Sequence, residues 1–290
     1  MKHFHNSRAR AFSPGVLDRE GAESALREIV SWPGYAPTPL LEMPALASAL
    51  GIGRLFYKDE SARFGLGSFK ALGGAYGVLR AVAREVRRIT GDGEVQGSEL
   101  MAGARRDLVA TLAVATATDG NHGRSVAWGA SRLGCRAFVF VPAAVSGARR
   151  EAIARLGARV EMVAGDYDQA VRRCAAEAAA NGWIVVSDTT YEGNLETPRD
   201  VMQGYRVMLA EVLAQLPAGA RLTHAFVQGG VGALAAAVAE HLGQELGSRR
   251  PRLILVEPDA ADCLFRSACA GRPSRAGGDL GTVMGGLACG

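Results

Sequence analysis

The 290-residue sequence predicts an α/β protein of two domains, with mostly parallel twisted sheets flanked by helices. Three observations carry that prediction. Short β-type apolar runs alternate with Ala- and Arg-rich segments of helical spacing, which is the pattern of βαβ units. Gly, Pro, Asp and Asn mark the boundaries between them. The length, with 48% hydrophobic residues, suits two cores of ordinary size better than one.

After a Pro-rich irregular stretch at 32–39 (WPGYAPTP), β-type runs fall at RLFYK, TLAVAT, AFVFV, RVEMV, WIVVS, THAFVQ and RLILVEP. Their continuous apolar character is that of strands covered on both faces in a parallel sheet. The longest helical segment runs over 68–90, with Gly91 as its stop. The polar, Gly-rich stretch 91–106 reads as a surface loop.

The net charge of +4 is spread along the chain without a basic block interleaved with aromatics, which disfavours a nucleic-acid partner. No run of eighteen apolar residues and no secretory signal are present, so a soluble cytoplasmic protein with no membrane partner is expected. The five cysteines are scattered, with no CxxC pair, so no metal site is expected. Thirty of the 33 basic residues are Arg; Lys2, Lys58 and Lys70 are the exceptions. An arginine stays protonated, whereas a desolvated lysine can become a nucleophilic amine, so chemistry is a reason to keep a lysine.

In parallel sheets ligands sit beyond the carboxyl ends of strands, where loops meet helix N-termini. Three segments have that placement. In GLGSFKALGG, Lys70 opens a helix beside Phe64 and Phe69; partial burial and the positive helix end would lower its pKa and free the amine. The plain alternative is an exposed lysine in a first helical turn. In QGGVGALA, Gly229, Gly230, Val231 and Gly232 offer backbone amides and a helix dipole to a phosphate. Two alternatives stand beside it: a tight strand-to-helix turn, or a dinucleotide GxGxxA motif (Gly230, Gly232, Ala235) with Glu257 as its ribose acid. In TDGNHG, Thr118, Asp119, Gly120, Asn121 and His122 follow a strand; the loop could receive a carboxylate, or Asp119 could simply cap the next helix. His122 reads as a packed or capping histidine.

These three segments, in this order, resemble the pyridoxal-phosphate (PLP) dependent β-elimination family that includes threonine and serine dehydratases, whose Ser-Phe-Lys segment, Gly-Asn-His loop and Gly-rich phosphate loop they match. Within it the sequence is similar to diaminopropionate ammonia-lyases through KDESARFGLGSFKALGGAYG, ATDGNHGRSVAWGA, SDTTYEG, VMQGY, VEPDAADCLFRS and MGGLACG, from about Pro37 onward. The dehydratases carry a small residue where Asp119 stands.

The resemblance implies PLP fold type II: a discontinuous large PLP-binding domain over 1–74 plus 166–290, and a small domain over 75–165. It implies that Lys70 carries the cofactor as a Schiff base, that Phe69 packs near its ring, that Asn121 binds its phenolic oxygen and that Gly229, Gly230, Val231 and Gly232 hold its phosphate. Thr118 and its loop would receive the substrate carboxylate. Asp119 and Asp188 would face the reacting amino acid, Asp119 as a second base and as a partner for a β-ammonium. Asp188 would tune that ammonium or cap a turn. Tyr167 would close over the site or lie on the surface beside the N-cap Asp166. Lys58, in KDES, would pair with neighbouring acids in a structural role. The implied reaction is conversion of 2,3-diaminopropionate to pyruvate and ammonia, by a homodimer with a small amino-acid substrate; serine or threonine dehydration, or an inactive remnant, are the alternatives. Family members continue beyond the GLACG segment with a C-terminal part that supplies the pyridine-nitrogen partner, so the large domain is expected to be incomplete here.

Overall fold

The computed structural model describes residues 2–6, 12, 15–118, 120–190, 194–278 and 280–289. In chain order its elements are α1 (Arg19–Val30), β1 (Leu40–Glu42), α2 (Pro44–Ala49), β2 (Phe56–Lys58), α3 (Lys70–Thr90), α4 (Gly97–Met101), α5 (Arg106–Thr111) and β3 (Ala113–Ala117). There follow α6 (Asn121–Leu133), β4 (Arg136–Pro142), α7 (Gly147–Ala154), β5 (Arg159–Val163), α8 (Tyr167–Asn181), β6 (Ile184–Val185), α9 (Glu196–Gln215), β7 (His224–Gln228), α10 (Ala233–Leu246), β8 (Arg252–Val256) and α11 (Cys263–Ala270). Among the described residues no helix is long and apolar enough to cross a membrane.

The apolar runs become strands because both of their faces find cover. Strands β3 to β6 form a parallel sheet in the order β5-β4-β3-β6. Alternate residues separate cleanly: Val114, Val139 and Val141 join the main core with Val126 of α6, while Ala115 and Phe140 pack with Ala170, Cys174 and Ala178 of α8. That is period-2 geometry with a helix layer on each side. A second parallel pair, β7-β8, is registered from His224 opposite Arg252 to Gln228 opposite Val256. Part of its surface is open: Phe226 is 67% and Val256 50% exposed.

Two expectations need correction. The RLFYK run does not join a parallel sheet; β2 pairs antiparallel with β1, Leu41 opposite Tyr57. A three-residue strand such as β1 carries too little periodicity to be read from sequence. The stretch 91–106 is not all loop, since α4 forms within it and buries Leu100. The expected stop at Gly91 does end α3, in the left-handed conformation that glycine adopts without strain. Helix α8 packs on the four-stranded sheet, and β6 pairs with β3 (Val114 with Ile184).

Helices α3, α6 and α9 approach each other through glycines. A Cβ on Gly129 of α6 would lie 2.8 Å from the Ala75 Cα, and one on Gly204 of α9 would lie 2.6 Å from the Leu72 carbonyl oxygen. The ALGG segment of α3 serves the same purpose, because a Cβ on Gly73 would strike Tyr205 and Val201 and one on Gly74 would strike Ser125. This fixed contact holds the N-terminus of α3, and with it Lys70, against α6 and α9.

A buried charge cluster ties the β1-β2 hairpin to α9. Arg63 donates to Glu60 and Glu211, and Lys58 Nζ lies 2.7 Å from Glu211 Oε2. Lys58 is structural, as expected. Its carboxylate partner is a residue of α9 rather than an acid beside it in sequence, and burial of the whole cluster requires that pairing.

Candidate active site

The N-termini of α3, α6, α8 and α10 open onto one cavity of about 320 Å³, within the ordinary range for small-ligand sites. Its lining includes Ser68, Phe69, Lys70, Thr118, Asn121, His122, Tyr167 and Asp188. It also includes Tyr205, Gly230, Val231 and Gly232 from the other side and the segment from Met284 to Leu287. The three junctions singled out in the sequence therefore meet. Of the expected site residues, Gly229 is the exception: its amide donates to Val256 O at 2.8 Å and a Cβ there would press on Glu257. It is a strand and packing residue, outside the cavity lining. Asp119 lies outside the described residues.

Lys70 opens α3, its amide donating to Ser68 Oγ at 3.2 Å. Its Nζ lies 2.5 Å from Asp188 Oδ2, and its side chain is 25% exposed. Burial by itself depresses the amine, but the Asp188 carboxylate outweighs it and holds Lys70 well above its ordinary pKa as an ammonium. The expectation of a freed amine is thus corrected. Reading the helix end and burial without the partner, which comes 118 residues later, missed the largest favourable contribution. Asp188 is pushed up by burial and pulled down further by His122 and Lys70, so it is a carboxylate, well below its usual range.

His122 is buried, with Nε2 at 3.0 Å from the Val186 carbonyl and Nδ1 at 3.9 Å from Asp188 Oδ2. Burial lowers its pKa, aided by Lys70 and opposed by Asp188, so the ring is neutral. Thr118 Oγ1 accepts from the amides of Gly120 and Gly123, which makes Thr118 a side-chain cap of α6. Asn121 is the first residue of that helix. Tyr167 opens α8, whose N-cap Asp166 forms a capping box with Gln169; the tyrosine lines the cavity instead of lying on the outer surface.

The α10 terminus has no side-chain cap, and Gly232 adopts φ 102° where most residues would be strained. A Cβ on Gly230 would sit 3.2 Å from Cys289 Sγ. An open helix N-terminus that side chains would fill is suited to a phosphate. The dinucleotide alternative loses its acid, because Glu257 accepts from the amides of Leu264 and Phe265 at 2.8 and 2.7 Å and so caps α11.

Tyr205 and Arg149 are among the lining residues that were not read from sequence. Tyr205, buried on α9, meets Phe69 edge-on at 5.1 Å between ring centroids. The VMQGY segment signals it, although nothing local tells that the tyrosine faces a lysine 135 positions earlier. Arg149, beside Gly285, is one of thirty arginines, and neither its type nor its spacing marks it.

A parallel-sheet fold, a lysine amine at a helix start and an open glycine turn at another helix start define a site for a phosphorylated aldehyde held by a lysine. In agreement, the family model described as "Pyridoxal-phosphate dependent enzyme" matches residues 31–290, and the chain belongs to this family. Among curated proteins, diaminopropionate ammonia-lyase of Escherichia coli strain K12 is 40% identical over 258 residues, which cover 89% of this chain and 63% of the relative. The chain thus spans less than two thirds of that relative's length. The crystal structure of the E. coli ammonia-lyase with an aminoacrylate-PLP azomethine intermediate superposes with a TM-score of 0.85 at 34% identity, covering 98% of this chain and 69% of that one. The same enzyme in complex with D-serine gives a TM-score of 0.83 at 35% identity, covering 94% and 67%.

PLP is the family's cofactor, and the residues present fit it: a lysine amine, an uncapped helix terminus with a glycine cradle, and an aromatic side chain, Phe69, on the cavity wall beside the lysine.

Proposed function

We infer that this chain carries the site of a PLP-dependent ammonia-lyase that converts 2,3-diaminopropionate to pyruvate and ammonia. The observation that carries this reading is the convergence of Lys70, Asp188, Thr118, Asn121, His122 and the 230–232 turn on one cavity, in a chain 40% identical to a diaminopropionate ammonia-lyase. The E. coli enzyme's complexes with an aminoacrylate-PLP azomethine and with D-serine support a β-substituted amino acid as the substrate class.

In this reading Lys70 would hold PLP, the amides of Gly230, Val231 and Gly232 would bind its phosphate, and Asn121 and Phe69 would flank its ring. When bound, PLP supplies the electron sink that stabilises charge at the substrate's α-carbon. Asp188 holds the Lys70 amine in place. The Thr118 loop binds the substrate carboxylate, and Tyr167 helps to exclude water. D- and L-isomers point their α-protons in opposite directions once their other groups are held alike, so one base cannot serve both. Lys70 is assigned the proton of one isomer and Asp119 that of the other, with the Asp119 carboxylate also attracting the β-ammonium. Two further assignments belong to the same reading: a cytoplasmic homodimer, and a small domain from about residue 75 that runs on through β6.

The test is pyruvate and ammonia release from D- and L-2,3-diaminopropionate, serine and threonine by PLP-loaded protein, with Lys70→Ala as control. Preference for diaminopropionate, lost with Lys70, is the expected result. A preference for serine or threonine would make it a dehydratase, and no release from any of them would remove the lyase assignment.

A further inference from the structure

Among the described residues, His122 Nδ1 is a buried side-chain atom without a hydrogen-bond partner, and it faces the pair on which Lys70 chemistry depends. Val186 O can only accept, so Nε2 carries the ring proton and Nδ1 presents a bare lone pair. Nδ1 lies 3.9 Å from Asp188 Oδ2, the same oxygen that is 2.5 Å from Lys70 Nζ. Two acceptors facing each other without a proton between them is an unfavourable arrangement for a 2% exposed side chain, unless a proton occupies the gap at some stage.

We propose that His122 is a positioning residue that acts through Asp188, taking up at Nδ1 the proton that Lys70 releases when it becomes a free amine. The proton leaves Lys70 Nζ, crosses the Asp188 carboxylate and adds to the Nδ1 lone pair, while Nε2–H stays on Val186 O. An ammonium–carboxylate pair is replaced by an imidazolium–carboxylate pair. The net charge of the cluster is unchanged, and Asp188 is never left buried without a cation, which is the costly state. The other ionisable groups acting on Lys70 are Tyr205 of α9 and Tyr167 of α8. Burial pushes the Tyr205 phenol further up, so it stays protonated near pH 7 and takes no share of the exchange. The electrostatics agree: Lys70 opposes protonation of His122 and Asp188 favours it, so discharging Lys70 tips the balance toward the imidazolium.

This inference rests on the function proposed above only where PLP enters, and the decisive test does without it. His122 is titrated by long-range 1H–15N NMR in cofactor-free protein, its signal assigned by loss in His122→Asn. Lys70→Ala should raise its midpoint by about one pH unit or more, and Lys70→Ala with Asp188→Asn should cancel the rise. A midpoint that stays put in Lys70→Ala overturns the proposal. In a second measurement, the visible absorption marking attachment of PLP to Lys70 should develop about tenfold more slowly in His122→Asn at pH 7, with the gap closing above about pH 9. Asn keeps a hydrogen-bonding atom near the Nδ1 position but cannot take the proton. Equal rates at every pH would refute the proton-holding role. Wild-type protein that takes up no PLP would count against the proposed function, and the titration alone then decides the proposal.

Discussion

Lys70 is one of three lysines in the chain, and its protonation is decided by the carboxylate 2.5 Å away. Residue type announced the chemistry, because only a lysine among the basic residues can become a nucleophile; the ammonium state came from Asp188, 118 positions later. At this scale the sharpest prediction concerns Asp119. Asn is nearly isosteric with Asp but accepts no proton, and removing a positioned base costs about 100- to 10,000-fold. Asp119→Asn should lose turnover by that order on D-2,3-diaminopropionate and much less on the L-isomer, read by pyruvate release. Equal losses on both isomers would mean that Asp119 serves binding alone.

At the scale of elements, glycines serve two distinct purposes that look alike in sequence. Gly129 permits a helix contact, and Ala there would push a Cβ to 2.8 Å from backbone that cannot move aside. Gly129→Ala should cost about 1–3 kcal/mol of stability by urea unfolding while leaving PLP affinity of the folded protein unchanged. Gly230 borders the cavity instead. Gly230→Val should weaken PLP binding about tenfold or more, measured by titration of the visible absorption, with a small change in stability. The opposite pattern, with Gly230→Val destabilising and affinity unaffected, would move the phosphate site elsewhere. Strand runs and the long α3 were legible because several residues repeat a period. Strand β1 and helix α4 were not, because three and five residues fit any period.

Across the whole molecule, the N-terminal segment is held by a polar cluster of Arg206, Gln203, Gln244 and His241 beneath Asp18 and Leu17. Burial, then Arg206 and Arg19, push His241 down to about 4. A histidine whose folded pKa is depressed contributes stability that is present above its unfolded value near 6.5 and is lost as pH falls toward 4. Unfolding free energy should therefore drop by about 3 kcal/mol over that interval from this group. His241→Gln should flatten the dependence, measured by urea unfolding at pH 7, 5.5 and 4.5. An identical slope in the variant would show that the ring titrates normally.

The sequence by itself determined the α/β class, the order of the strands from β2 onward along the chain, the long helix that Lys70 opens and the three loops that line the cavity. Each of these depends on residues close together in the chain, whose periodicity, turn chemistry or type can be read in place. Tertiary structure alone decided that Gly229 belongs to the β7-β8 ladder, that Glu257 caps α11, that Lys58 answers to Glu211, and that Tyr205 and Arg149 line the cavity. It also decided the protonation of Lys70. These are pairings across tens to more than a hundred residues, and burial sets their energies: a charge taken out of water must find its partner wherever the fold brings one, which no local pattern records.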